Sequence, residues 1–212
     1  EYRRQRQMCI RDSPTAVLGG GTWSKIVAGS SHCLALATNG LLSAWGSNGN
    51  GQLGDGSFTN RTRPKNLWSS WANTSWSDVA AGGFHSLAIA TDRSLYAWGD
   101  NTYCQLGDGT GSNAGASIPI PVFGGGTWSK ITAGSFHSLA IGTNRSLSAW
   151  GLNDRGQLGD GTLVNKSYPT PVLGGGTWSN IGAGNYHNFA ISTNGSLSAW
   201  GWNLYGQLGD GT

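Results

Sequence analysis

Four histidines recur at matched places in this 212-residue chain: His32, His85, His137 and His187, spaced 53, 52 and 50 residues apart. Each opens an apolar run, as in His137-Ser138-Leu139-Ala140-Ile141. Four imidazoles suggest a metal site, but each falls in a different copy of a repeated segment, so a tetrahedral centre would need all four to converge on one point. The plainer expectation is a histidine at a strand start that hydrogen-bonds backbone and is held in one tautomer. Asp55, Asp108, Asp160 and Asp210 recur within Leu-Gly-Asp-Gly. An aspartate between glycines makes a side-chain-to-backbone turn, and one carboxylate per copy falls short of a calcium shell. Cys9, Cys33 and Cys104 form no CxxC and share no framework, which supports neither a disulfide scaffold nor a zinc site. The Gly-Gly-Gly runs precede strands, so no helix N-terminus is there to hold an anion. No matched nucleophile and base interrupt the copies. The chain reads as a non-enzyme, with no catalytic residue, no metal and no cofactor.

The elements that position these residues follow from the period. Besides the histidines, Trp23, Trp76, Trp128 and Trp178 repeat every 50–53 residues, as do the Trp-Gly pairs at 45, 98, 150 and 200. Pro14, Pro64, Pro119 and Pro169 mark unit boundaries. A period near 50 points to a propeller or a similar array. Each unit reads as four short strands. The first is a Pro-containing segment suited to a sheet edge, where a missing N–H does no harm. The second is Trp-Ser-x-Ile-x-Ala-Gly, the third the apolar run after His, and the fourth Ser-Leu-Ser-Ala-Trp-Gly. The third strand sets Leu and Ile against Ala and Ser, as in a sheet covered on both faces. Two-residue turns at Asn39-Gly40, Asp92-Arg93, Asn144-Arg145 and Asn194-Gly195 join the last two strands. If both turn residues adopt positive φ, Arg93 and Arg145 are strained by about 1 kcal/mol.

Two regions stand apart. Residues 1–13 are basic and match no repeat; they are set aside as a leader, with 14–212 as the repeat domain. Residues 68–75 replace Gly-Gly-Gly-Thr with a longer connection carrying two extra tryptophans. The last unit lacks its next Pro strand, as in a fragment of a longer array. Residues 14–18 could instead supply that strand and complete sixteen strands in four sets.

Composition narrows the class. Charged residues are only 11%, Gly numbers 36 and Trp 11, and the sole Glu is Glu1. The net charge of +3 falls to +1 without the leader, which leaves no basic stripe to neutralise phosphates, so no nucleic-acid partner is expected. No apolar run reaches the roughly 18–20 residues of a membrane span. The compartment is left open.

With Trp-x-x-Ile-x-Ala-Gly-x-x-His-Ser-Leu-Ala-Ile and Gly-Gln-Leu-Gly-Asp-Gly-Thr in view, the chain resembles the regulator of chromosome condensation repeat family, especially its bacterial-type members. The resemblance covers residues 14–212. WD repeats are shorter and carry a Trp-Asp dipeptide, and kelch repeats lack the Gly-Gln-Leu-Gly-Asp-Gly turn. The resemblance implies an all-β fold, a β-propeller of four-stranded antiparallel blades. About four blades are present here, a partial arc of the family's seven. Family members include an exchange factor for a nuclear small GTPase, ubiquitin-ligase modules and secreted enzyme inhibitors, so the family leaves function open. None of their functional residues transfers to this sequence.

Positions that change within an otherwise fixed loop are where specificity can reside. Between Trp-Gly and Gln-Leu-Gly these include Tyr103, Asp154, Arg155, Trp202 and Tyr205. If the blades repeat in space, all five share one rim, and Tyr, Trp and Arg are the types enriched at binding hot spots. The expected function is a non-catalytic scaffold (adaptor, inhibitor or surface module) that binds a protein through these rim loops. The alternatives are an exchange-factor-like regulator and a glycan-binding or enzymatic propeller. Apolar faces at the two end blades are expected to favour self-association.

Overall fold

The structure, a computed structural model, describes residues 10–67 and 74–212. These residues form four antiparallel sheets and no helix. Sheet 1 comprises β1 (Trp23–Ala28), β2 (His32–Ala37), β3 (Leu42–Gly46) and β4 (Arg61–Asn66). Sheet 2 comprises β5 (Trp76–Ala81), β6 (His85–Ala90), β7 (Leu95–Gly99) and β8 (Ala116–Pro121). Sheet 3 comprises β9 (Trp128–Ala133), β10 (His137–Gly142), β11 (Leu147–Gly151) and β12 (Lys166–Pro171). Sheet 4 comprises β13 (Trp178–Ala183), β14 (His187–Ser192) and β15 (Leu197–Gly201). Strand order within each sheet is sequential, so every sheet is an up-and-down meander. The first strands β1, β5, β9 and β13 lie against one another in succession.

Two features of grouping differ from the sequence reading. Each Pro-containing strand pairs with the preceding Ala-Trp-Gly strand, as β8 does with β7, and not with the Trp-Ser-x-Ile strand that follows. It is the outermost strand, bulged opposite Gly46, Gly99 and Gly151. Residues 14–18 form no strand and are exposed, so they do not complete sheet 4. The longer connection expected over 68–75 lies, for residues 68–73, outside the described residues, as do residues 1–9 of the leader.

The hairpin turns also differ. Only the second residue of each pair has positive φ: Gly40 at 81°, Arg93 at 72°, Arg145 at 68° and Gly195 at 89°. Arg93 N–H donates to Ala90 O and Ala90 N–H donates to Ser94 O, each at 2.9 Å. This is a type I turn closed by a left-handed residue, the common three-residue hairpin. The residue before it keeps negative φ because its side chain already caps the turn. Asp92 Oδ1 accepts from Ser94 N at 2.9 Å, and Asn144 Oδ1 from Ser146 N at 3.0 Å.

The core lies between sheets. Leu34, Leu36, Leu42 and Leu53 of sheet 1 pack on Trp76, Val79 and Trp98 of sheet 2. The same scheme repeats between sheets 2 and 3 and between sheets 3 and 4. All six residues of β6 and of β10 are buried, as expected for a sheet covered on both faces. Trp98 and Trp150 have no solvent exposure.

Candidate functional site

The fixed letters of the repeat build seams between sheets. Trp98 Nε1 donates to Gln52 O at 2.9 Å, Trp150 Nε1 to Gln105 O at 2.9 Å, and Trp200 Nε1 to Gln157 O at 3.0 Å. The glycine two residues after each Gln makes room for that indole. It sits at positive φ, and a Cβ on Gly107 would lie 2.5 Å from Trp150 Nε1.

The histidines bridge the same seams. Ser86 Oγ donates to Gln52 O at 2.8 Å and so accepts from His32 Nε2–H at 2.9 Å. Ser138 mediates between His85 and Gln105 in the same way. Asn188 Nδ2 donates to Gln157 O, and its Oδ1 accepts from His137 Nε2 at 2.8 Å. One tautomer is therefore held, as expected, but the partner is a side chain of the next sheet and not backbone. Nδ1 of His32, His85 and His137 is buried without a hydrogen-bond partner. Protonation would place a charge there, so burial lowers these pKa values to about 4, about 3 and about 4. The arrangement suits a neutral structural bridge, not a general base working near pH 7.

The Gly-Asp-Gly aspartates make the expected turns, each accepting from the backbone N–H two residues on, at 3.0–3.1 Å. Partial burial raises the Asp55 pKa, but hydrogen bonds from Ser57 and Arg61 outweigh it and hold the carboxyl below its ordinary range. The Asn of Trp-Gly-x-Asn has a role that sequence reasoning missed. Asn153 Oδ1 accepts from Leu158 N, and its Nδ2 donates to Asp160 Oδ1, Thr162 O and Val164 O. It clamps the whole loop, and Asn48 does the same in sheet 1. The loop is thus a rigid frame in which only the intervening letters vary.

Those varying letters meet at one rim. Tyr103, Asp154, Arg155 and Trp202 line a single cleft of about 270 Å³, together with Leu152, Phe136 and Tyr186. Tyr205 sits edge-on to Trp202, with ring centroids 5.4 Å apart. Asp154 and Arg155 form an exposed ion pair at 3.7 Å. Phe84, Phe136 and Tyr186 were not expected here. Each precedes a strand-start His, at the place where the first copy has Ser31. The backbone brings them to the loops: Asp100 N donates to Phe84 O, Leu152 N to Phe136 O and Trp202 N to Tyr186 O, at 2.9–3.0 Å.

The result is a continuous aromatic run. Phe84 stacks on Phe136 at 5.8 Å, Phe136 meets Tyr186 at 6.4 Å, and Tyr186 meets Trp202 at 6.0 Å, with Tyr103 edge-on to Phe136 at 5.2 Å. Tyr205 is 80% exposed and Phe84 38%. By contrast, the cleft along β1, β5, β9 and β13 is lined by Gly, Ala, Ser and aliphatic residues with Thr132 and Asn185, and Lys25 is the one ionisable side chain among its described lining residues. Among the described residues, no group of three or more His, Cys, Asp or Glu could hold a metal ion.

Comparison with known proteins agrees with this architecture. A family model described as an RCC1-like domain matches residues 2–212. The ultraviolet-B receptor UVR8 of Arabidopsis thaliana is 33% identical over 150 residues, covering 71% of this chain and 34% of the receptor. Human WBSCR16 superimposes with a TM-score of 0.82 at 27% identity, covering 91% of this chain and 50% of that one. Prp20p from Saccharomyces cerevisiae gives a TM-score of 0.83 at 23% identity, covering 96% of this chain and 51% of that one. The chain therefore spans about half the length of these two structures and about a third of the receptor.

Proposed function

The chain belongs to the RCC1-like domain family, and on that premise we propose that it is a non-catalytic propeller array that binds a protein partner through its aromatic rim. The carrying observation is the run Phe84–Phe136–Tyr186–Trp202–Tyr205, partly exposed and held on loops whose frame is otherwise invariant. Aromatic side chains bring large apolar area at little entropic cost. A cluster of them beside an arginine is the composition of a binding hot spot. The flanking Asp154–Arg155 pair supplies the polar margin that fixes orientation without adding much affinity. Prp20p, whose binding properties to Gsp1p and histones were studied alongside its structure, supports a protein as the class of partner.

The test is capture of partners on the immobilised chain, followed by affinity measurement on the one that binds. Replacing Arg155 and Tyr205 together by Ala leaves the fold intact, since both are exposed. The expected loss of affinity is about tenfold or more, the factor that about 1.4 kcal/mol represents. Unchanged affinity for that partner would refute the rim as the binding surface.

A further inference from the structure

The face opposite the aromatic rim carries cations that the fold leaves uncompensated. The hairpin turn after β6 lies over the seam between sheets 2 and 3, which has a further sheet on either side. Its backbone is fixed there: Arg93 N–H donates to Ala90 O at 2.9 Å, and Arg93 O accepts from Trp128 N at 3.0 Å. The Arg93 side chain therefore starts from a set point, with Lys130 two residues beyond Trp128 on β9. Both line one cavity of about 570 Å³, together with Thr91. Lys25 and Asp78 line it too, but they are paired with each other. Lys130 donates to the neutral Asn180 at 3.2 Å, and Arg93 has no ion-pair partner among the described residues. The acidic neighbour of Arg93, Asp92, accepts from Ser94 N within the turn. A donor is free here as well. Thr38, Thr143 and Thr193, at the same place in the other sheets, each share a hydrogen bond with a second threonine hydroxyl, at 2.6–2.7 Å. Thr91 faces Ser75 instead, and its hydroxyl has no hydrogen bond among the described residues.

We propose that this cavity binds a phosphomonoester, its phosphoryl group held by Arg93, Lys130 and Thr91. A guanidinium presents paired N–H donors that match phosphoryl oxygens, and an ammonium adds a point charge. Two uncompensated cations match a dianion, and the Thr91 hydroxyl supplies a further donor. The cavity is larger than a phosphoryl group, and Ile89, Ile131 and Ile181 give its wall an apolar part for the organic remainder. The repeat sets this seam apart. The same two positions are Gly40 and Asp78 between sheets 1 and 2, and Arg145 and Asn180 between sheets 3 and 4. Among the three seams, Arg and Lys coincide at the middle one. A nucleic-acid strand would instead need a row of cations along successive phosphates. The site is separate from the rim: Phe84 precedes β6 and Thr91 follows it, so the strand lies between them.

The experiment titrates the 212-residue chain by calorimetry in low-salt buffer, where exposed charges are least screened. The probes are inorganic phosphate, glycerol phosphate, a phosphoserine peptide and acetate. Two variants take residues that the repeat itself uses at these positions: Arg93→Gly, as at Gly40 and Gly195, and Lys130→Asn, as at Asn180. Both sites are exposed, so the fold is kept, which circular dichroism checks. Arg145→Gly removes the same charge from the same turn at the neighbouring seam and serves as the control. Inorganic phosphate is expected to bind at millimolar concentration, a phosphomonoester more tightly, and acetate more weakly. Arg93→Gly and Lys130→Asn are each expected to weaken phosphate binding about tenfold or more, and Arg145→Gly to leave it unchanged. Preference for glycerol phosphate would make the natural ligand a small molecule, and preference for the peptide a phosphorylated protein; either supports the phosphoryl site. Four outcomes would overturn it. The first is no binding of phosphate or of either monoester. The second is acetate binding as tightly as phosphate, which would mark a general anion surface. The third is an equal loss from Arg93→Gly and Arg145→Gly, which would mark non-specific charge. The fourth is unchanged affinity in Arg93→Gly or in Lys130→Asn.

Discussion

Trp98 is enclosed at the seam between sheets 1 and 2, against Leu34, Leu53 and Gly54, with its indole N–H on the Gln52 carbonyl. Truncation would remove the apolar contacts, leave a cavity and take from the Gln52 carbonyl one of its two donors, leaving only the Ser86 hydroxyl. Trp98→Ala is expected to cost about 3–5 kcal/mol in urea denaturation. Trp45 occupies the same place in the repeat but is only partly buried among the described residues, and Trp45→Ala in this 212-residue chain is expected to cost clearly less. Equal losses at the two positions would mean that burial between sheets is not the source of the effect. The comparison separates what a residue type contributes from what its position contributes, because the two tryptophans have matching sequence surroundings.

The hairpin between the second and third strands of each sheet is the element where the chain tolerates strain. Gly40 and Gly195 enter the left-handed region freely, whereas Arg93 and Arg145 do so at φ 72° and 68°. A side chain in that region costs about 1 kcal/mol, partly offset in any exchange for glycine by the greater freedom of glycine in the unfolded chain. Arg145→Gly is therefore expected to raise stability by about 0.5 kcal/mol, and Arg145→Ala, which keeps the Cβ, to give none of that gain. Matching midpoints for the two variants would show that the strain is absent. Asn144 caps the turn from within, so the type I geometry survives either change.

At the scale of the whole molecule, stability is the sum of seams between neighbouring sheets. Three of those seams contain a neutral buried histidine, which makes the array acid-sensitive. The folded pKa values of His32, His85 and His137, about 4, about 3 and about 4, lie below the ordinary 6.5. As pH falls below 6.5 the unfolded chain takes up protons that the folded chain refuses, so stability declines from there until the folded pKa is reached. At about pH 5 each histidine costs on the order of 2 kcal/mol. Asp55 and Asp160, whose folded pKa values are lowered, add to the loss only in the carboxylate range below that. The urea midpoint is expected to drop steadily between about pH 7 and about pH 5. A flat profile over that window would overturn the seam assignment of the histidines.

The chain by itself determined what is local. The 50-residue period, the alternation within strands, the proline edge strands and the Asp-Gly turns are written in adjacent letters, because pleat and turn chemistry act over a few residues. The burial of Trp76, Trp98, Trp128 and Trp150 between sheets and the common rim of Tyr103, Asp154, Arg155, Trp202 and Tyr205 followed from the period alone, since equal units stacked in one direction align equal positions. Tertiary structure decided what depends on contact between distant segments. It assigned each proline strand to the preceding sheet. It gave each histidine a partner 51–54 residues away, on the next sheet. It also set Phe136 beside Leu152 and Tyr186 beside Trp202 through single backbone hydrogen bonds, joining scattered aromatics into one surface. No propensity encodes such pairings, because they arise only when one whole face of a sheet settles on the next.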